Sequence, residues 1–519
     1  PVPLADGRVV RGARGLLLPG ADLPAGALSA FGPYGLRVVH PDAAHDTLER
    51  LGAVRTNARA LLSDGAVRSA VENSLDYDDP DAIAAAVLGV VAAGDAGDAH
   101  GLWWLGELAL RDAEGEAAPA HSLVLPGSDA EAVLDPDEFG PVARELVERY
   151  GPATLEAVGV LRTLGLATAA DVVLDALPEE LAEVDDLDGW ADEVAGPGAM
   201  AGELVVVRDL DWVADDAWRR VLGLFGTDPV LRDALVRRPR VVGADGAARD
   251  VTSYAAWWLR RHVRLEDGEP LGGRADPDGD EALGALLDPA PDWLGGLDPQ
   301  VRAAVGLVGA VEDLDEDGVT LVLDRLADPD RAVDPADLIR LWAGFGALDL
   351  RPPEPPDRVR VLTAGGTAVV DAGDAVVADA PMWLQRADLG GYVVASGPAA
   401  DRLSELLDLP LVQDVAAGKV GGDAAEVPVP DVVRRLVPGV PETWWEHDTL
   451  AVDGYDVDWW VDADGRPHAA TGDGLAKALA WAAGQWARRH LVLAVLNEPE
   501  RAAEFALDAA FDGRDQPAS

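Results

Sequence analysis

Cysteine is absent from the 519 residues, lysine occurs only at Lys419 and Lys477, and methionine only at Met200 and Met382. Without a thiol, disulfides, thiolate zinc sites and cysteine nucleophiles are all excluded. Bases are scarce altogether: 42 Lys and Arg stand against 93 Asp and Glu, for a formal charge of −51. A field of that sign repels DNA, RNA and anionic lipid, so neither a nucleic acid nor a membrane is expected as partner. Long apolar runs are missing too. The stretch Ala82–Val91 falls well short of the roughly 20 residues a spanning helix needs. The chain opens at Pro1 with neither a methionine nor a signal-like segment. The expectation is a soluble, cytoplasmic protein that continues something longer.

What is present points to a large folded protein. A hydrophobic fraction of 49% is ordinary for globular chains, so the charge does not mean disorder. At roughly 100–200 residues per domain, three or four units are expected. Ala, Gly, Val, Leu and Asp dominate and arginine displaces lysine, the look of GC-rich coding.

One pattern recurs: a β-prone stretch, a turn at Asp-Gly or a relative, and a second β-prone stretch. It occurs at Pro3–Val10, Leu110–Gly115, Arg240–Gly246, Val359–Val377 and Asp458–Arg466. The first copy continues into Leu16-Leu17-Leu18-Pro19-Gly20 and the second into Leu123-Val124-Leu125-Pro126-Gly127. Glycine supplies the positive φ of tight hairpin turns. The copies lie roughly 90 to 130 residues apart at irregular intervals, which is no solenoid. Helices are expected between them: Asp46–Leu51, Val142–Tyr150, Ala153–Leu164, Trp218–Phe225, Pro229–Val236 and Ala336–Trp342. A long terminal helix is expected from a cap at Asp473 to Asn497. Glu266–Leu297, rich in Gly, Pro and Asp, and Arg351-Pro352-Pro353-Glu354-Pro355-Pro356 read as linkers. Hairpins among helices without strict βαβ alternation indicate an α+β, multidomain fold. The segments are 1–134 (hairpin and helix), 135–265 (helices, then a hairpin), 266–350 (linker and helices) and 351–519 (an α+β domain with the terminal helix).

Several residue groups carry candidate chemistry. Asp313, Asp315, Asp317 and Asp324, with Gly318 at the sixth position, match a calcium loop's oxygen ligands at one, three, five and twelve. Leu321 at position nine and a short Asp at twelve depart from that pattern, and Asp-x-Asp-x-Asp arises easily in so acidic a chain. The alternative is a solvated turn. Tryptophan is abundant, 16 copies against 6 Phe and 6 Tyr, and pairs occur at 103–104, 257–258, 444–445 and 459–460. Indoles beside carboxylates, as in Trp444-Trp445-Glu446-His447-Asp448, suit sugar stacking or peptide contact; a hydrolytic, carbohydrate-active enzyme is the corresponding alternative. The plain alternative places one Trp of each pair in the core and the other as cover. His40 and His45 in His40-Pro41-Asp42-Ala43-Ala44-His45 read as helix caps rather than ligands. His447 and His468 lack a serine constellation, and neither a nucleophile elbow nor a phosphate loop occurs. Arginines at 237, 238, 240, 260, 261, 264, 434, 435, 488 and 489 either lace acidic faces or dock an anion.

Four phrases carry a family resemblance. Val38-Val39-His40-Pro41-Asp42-Ala43-Ala44-His45 with Leu48-Glu49-Arg50-Leu51-Gly52-Ala53 resembles a segment of large bacterial proteins related to sacsin. So do Leu323-Asp324-Arg325-Leu326-Ala327-Asp328-Pro329, Asp379-Ala380-Pro381-Met382-Trp383-Leu384-Gln385, and Trp459-Trp460-Val461-Asp462 through Arg489-His490-Leu491. The resemblance implies an amino-terminal ATP-binding domain of the GHKL type, shared with the ninety-kilodalton heat-shock chaperones, followed by a long segment that this chain matches. ATP and magnesium would then bind only in that partner domain. Its Glu-x-x-x-Asn-x-x-Asp box is not met here, since Glu72-Asn73-Ser74-Leu75-Asp76 has the wrong spacing. Neither Asp464-Gly465-Arg466 nor Asp317-Gly318-Val319 supplies the second box. The implied role is a chaperone-like scaffold that contacts client polypeptides, with no catalytic residue in this chain.

Overall fold

The computed structural model describes residues 1–20, 23, 30–94, 96–99, 101–265, 267–350, 354–363 and 365–509. The fold is α+β: among the described residues, short helices alternate with eight small sheets of two to four strands. Among the described residues no helix is long and apolar enough to cross a membrane. The chain forms two compact units, Pro1–Gly272 with Pro291–Leu307, and Gly273–Ala290 with Val308–Ser519. It therefore passes between them three times within residues 272–308.

All five hairpins form, and two more appear around Asp267-Gly268 and Asp453-Gly454. In five of the seven the turn closes in the same way. The amide of the residue three after the turn's first carbonyl bonds back to that carbonyl, as in Gly7→Leu4, Gly115→Asp112, Gly246→Gly243, Gly268→Leu265 and Gly465→Asp462. These five glycines hold φ between 77° and 87°. An aspartate carboxylate completes each turn by accepting a backbone N–H two residues on: Asp6 from Arg8, Asp112 from Glu114, Asp245 from Ala247, Asp267 from Glu269, Asp462 from Asp464. In three of the five, at Asp6, Asp245 and Asp267, the accepting aspartate directly precedes the glycine, which gives the Asp-Gly pair a mechanism; Asp112 and Asp462 stand three residues before it.

A larger unit surrounds four of these hairpins. After the hairpin a short central strand pairs in parallel with two later segments, one on each side. Leu17 meets Val38 and Val54; Val124 meets Pro141 and Leu161; Ala275 meets Pro289 and Val308; Val377 meets Val393 and Leu411. The second partner returns 33 to 37 residues after the central strand. A helix precedes that return in every copy: Asp46–Arg50, Pro152–Ala157, Pro299–Ala304 and Pro398–Leu407. Each helix ends on a residue in the left-handed region, Gly52, Gly159, Gly306 or Asp408. The next amide then reaches back five residues, Ala53→Leu48, Val160→Leu155, Leu307→Arg302 and Leu409→Ser404. That is the six-to-one bond of a Schellman cap. The boundary between the two compact units passes through the third copy.

Three expectations are corrected. Residues 273–290, read as linker, are structured: Ala275 is a central strand, and Asp280 caps the helix Glu281–Leu286, whose Leu283 and Leu286 are fully buried. Its Asp and Gly residues are turn and cap formers, which composition alone does not separate from linker residues. Glu266 and 351–353 of the second linker lie outside the described residues. The long terminal helix is in fact two, Gly472–Ala482 and Arg489–Asn497, because Gly484 adopts φ 66° and a 3-10 turn follows. Its cap is Thr471, which accepts from the Gly474 amide at 2.9 Å. The helix from Pro152 stops at Ala157, since Gly159 turns the chain into the strand at Leu161.

In unit 1 the helices Ala58–Leu62, Gly65–Glu72 and Pro80–Ala93 bury Leu61, Leu62, Val67, Val87 and Leu88 against the second module's Leu108, Leu110 and Leu123. Pro80–Ala93 is apolar nearly all round, as a helix inside a core must be. In unit 2 the strands Arg358–Thr363 and Ala375–Ala378 pack Val359, Val361 and Val377 on Trp342 and Phe345.

The left-handed cap is testable. A side chain at Gly159 is disfavoured twice, by φ 108° and by a Cβ that would lie 3.0 Å from the Gly106 Cα. Gly159→Ala is expected to cost about 1–2 kcal/mol or more. Asp408→Gly, which restores the residue used in the other copies, is expected to gain less than about 1 kcal/mol. Denaturant-unfolding midpoints of the two variants check both signs.

Candidate functional site

The strongest gathering of titratable side chains outside the surface lies in the sheet of Ala424–Pro428, Thr443–His447, Pro467–Ala469 and Trp459–Val461, in that order. The central pair, Thr443–His447 and Pro467–Ala469, runs parallel and sets Trp445 opposite His468. Alternation along the strand then brings His447 and His468 to one side of the sheet. Their rings touch: His447 Nε2 and His468 Nδ1 are 3.0 Å apart, and His468 Nε2 lies 3.4 Å from Asp462 Oδ2. Trp445 stacks on His468 at 6.2 Å between centroids. Both histidines are buried, 3% and 7% exposed, and burial holds both imidazoles below the usual histidine range. For His447 the facing His468 adds to that depression; for His468 the Asp462 carboxylate opposes it. The chain Asp462–His468–His447 can hold a proton along a line. Among the described residues no serine, threonine or lysine is hydrogen-bonded to it.

A second buried network anchors the same unit. Arg386, with a side chain only 4% exposed, grips both Asp388 oxygens at 2.8 and 2.9 Å and Asp453 at 2.8 Å. Its guanidinium lies over the Tyr455 ring at 4.5 Å, and its carbonyl accepts the Tyr392 hydroxyl. Asp453, at φ 49°, also accepts the amides of Gly418 and Lys419. The Arg386 guanidinium keeps the Asp388 carboxyl below its ordinary range, and burial pushes the Tyr392 phenol up to about 12. Every charge there has a partner, and the arrangement clamps the loop 386–389 to the hairpin 451–456.

In unit 1, Asp209 faces Arg208 at 3.9 Å. Its side chain is nine-tenths buried, burial raises its carboxyl well above the usual range, and Oδ2 has no hydrogen-bond partner among the described residues. It sits at φ 62° directly after the strand Met200–Val207. No motif in the sequence singles it out.

The four calcium candidates are not brought together. Asp315 is the N-cap of the helix Glu316–Ala327 and accepts the Gly318 amide at 2.9 Å; Asp313 ends a 3-10 turn. Asp317 and Asp324 lie within the helix, so Asp324 stands roughly 13 Å along the axis from the cap at 1.5 Å per residue. A twelve-residue loop cannot wrap an ion through a straight helix. No group of three or more His, Asp or Glu able to hold a metal forms among the described residues.

The tryptophan pairs resolve in two ways: Trp103-Trp104 and Trp444-Trp445 split into one core indole and one more open, as expected, whereas both members of Trp257-Trp258 and Trp459-Trp460 are buried. Trp257 and Trp258 lie on a helix, Tyr254–His262, and both are buried. Trp459 and Trp460 are both buried on a strand covered on either side, stacking on Trp486 at 5.5 Å and edge-on to Trp383 at 4.7 Å. Trp444 is buried and Trp445 half-buried. Only Trp103 stays open, 40% exposed under Arg68, while Trp104 is core. His40 and His45 do cap the helical turns after them, accepting the Asp42 and Thr47 amides. Arg237, Arg240, Arg261 and Arg434 pair with Glu203, Asp250, Glu193 and Asp431, the lacing role.

No protein-family profile matches the chain, and neither a curated protein nor a solved structure shows significant similarity to it.

The histidine pair makes a pH prediction. Both folded-state pKa values lie below that of an unfolded histidine, near 6.5, so the unfolded chain binds more protons. The pair's contribution is complete above that value and is lost as pH falls below it. Unfolding midpoints followed by tryptophan fluorescence should drop from pH 7.5 to pH 5. A His447→Phe, His468→Phe double variant should show a flatter profile, and an unchanged slope would contradict the assignment.

Proposed function

We propose that this chain is a non-catalytic scaffold, the client-contact region of a sacsin-like protein whose GHKL ATP-binding domain supplies any ATP and magnesium site. The observation that carries the reading is the repeated module. Four copies of one hairpin-and-parallel-strand unit, each with its own helix and turn, recur along one chain. Repetition of one unit suits contact with extended polypeptides better than the single concave pocket of an enzyme. The buried histidines and the Arg386 network support the reading from another side, because each is turned inward and spent on holding strands in register. Chaperone-like action, client choice and the coupling to ATP belong to the proposal alone.

The reading is tested by light scattering of a heat-denatured client such as citrate synthase. The purified chain should slow its aggregation to the same extent with and without ATP. Steady ATP turnover by the chain alone, or aggregation unchanged at high excess of the chain, would overturn it.

A further inference from the structure

Many arginines in this chain are engaged with carboxylates or carbonyls, as expected where acids outnumber bases two to one, and a few outside the first module, such as Arg144, Arg238, Arg264 and Arg435, have no such partner among the described residues. The first module differs in its local charge. Residues 1–60 carry seven arginines and five acidic residues, a local excess of base in a chain of net charge −51. Asp22 lies outside the described residues, and the other four acids have basic neighbours. Asp6 is held by Arg8, Asp46 and Glu49 by Arg55, and Asp42 faces His40. Arg11, Arg14, Arg37 and Arg50 are exposed and make no ion pair or hydrogen bond among the described residues.

Topology brings three of them to one edge. The strands through Leu17, Val38 and Val54 run parallel, so their amino ends lie on the same side of the small sheet. Arg14 leads into the central strand and Arg37 into its first partner, where its carbonyl accepts the Leu17 amide at 2.8 Å. Arg50 ends the helix whose Gly52 turn leads into the second partner. A Cβ on Gly52 would lie 3.5 Å from Arg14 Cγ, which places that turn against Arg14. Leu51, on the same turn, is 63% exposed, and Val54 just beyond it 56%.

The fold does not require these arginines. At the matching offsets from the paired strands, the second module has His121, Gly140 and Ala157, and the fourth has Asp374, Tyr392 and Leu407. We propose that this edge, formed by Arg14, Arg37 and Arg50 around Leu51, is a docking surface for a short acidic peptide segment carrying an apolar side chain. Guanidinium forks suit carboxylates, and an exposed leucine between them supplies the contact that is buried on binding. Long polyanions and anionic bilayers feel the field of the whole acidic molecule, whereas a segment of a few residues feels mainly charges within a Debye length of about 8 Å. The partner is therefore a peptide segment. This inference stands apart from the proposed link to an ATPase.

Fluorescence anisotropy with the full chain tests it, using a labelled peptide of alternating glutamate and leucine and a lysine–leucine peptide as control. The glutamate peptide should bind, weaken with added salt, and lose about tenfold or more in affinity in the Arg14→Ala, Arg37→Ala, Arg50→Ala variant. An Arg237→Ala, Arg238→Ala, Arg240→Ala variant should bind as the parent does. Leu51→Ser, a surface change that spares the charges and the fold, should weaken the glutamate–leucine peptide but not an all-glutamate one. Failure of the glutamate peptide to bind, undiminished binding by the triple variant with native circular dichroism, or tighter binding of anionic vesicles or DNA through these arginines would overturn the proposal.

Discussion

The recurring module depends on one backbone constraint, a residue held at positive φ where its helix ends. The second parallel partner can reach the central strand only if the chain reverses within two residues, and the left-handed cap makes that reversal. Gly52, Gly159 and Gly306 adopt it without a Cβ penalty, and Asp408 is the one copy that tolerates it with a side chain. Move the cap by one residue and the returning strand presents its other face, because side chains alternate with period two. Strands of two to four residues have few ladder bonds of their own, so the turns on either side determine where they pair.

The same economy explains much of the charge. Aspartate closes five hairpin turns and caps helices at Asp64, Asp79, Asp228, Asp280, Asp298, Asp315 and Asp334. In each place a carboxylate satisfies backbone N–H groups that would otherwise lack a partner. Many acids are therefore structural acceptors rather than a field aimed at a ligand. Against that background, the first module stands out by its local excess of arginine over acid, with Arg14, Arg37 and Arg50 at one edge.

How much of this could be read from the sequence follows from the range of each interaction. Asp-Gly turns and helix caps are local, so the five hairpins and most helix starts were legible, together with the α+β class. The parallel pairings join residues up to 37 apart through strands too short for periodicity, and nothing in Leu123-Val124 announces Leu161 as a neighbour. For the same reason His447 and His468 were visible as residues but not as a pair. Asp313, Asp315, Asp317 and Asp324 misled because a capping aspartate and a calcium ligand use the same residue at the same spacing. Only the helix that follows tells them apart. Two Trp pairs split into core and cover as alternation implies, whereas Trp459 and Trp460 are both buried because the helix Gly472–Ala482 covers one side of their strand and the distant segment at Trp383 the other.

The central claim is that the chain is built from copies of one unit, each locked by its central strand and left-handed cap. Hydrogen–deuterium exchange of the intact chain tests this most directly. The account predicts that the amides of Leu17, Leu125 and Val377, which bond to the flanking segments, exchange among the slowest of their modules, as does the capped return at Ala53, Val160 and Leu409. Central-strand amides that exchange as fast as the hairpin tips, while the intervening helices stay protected, would contradict it.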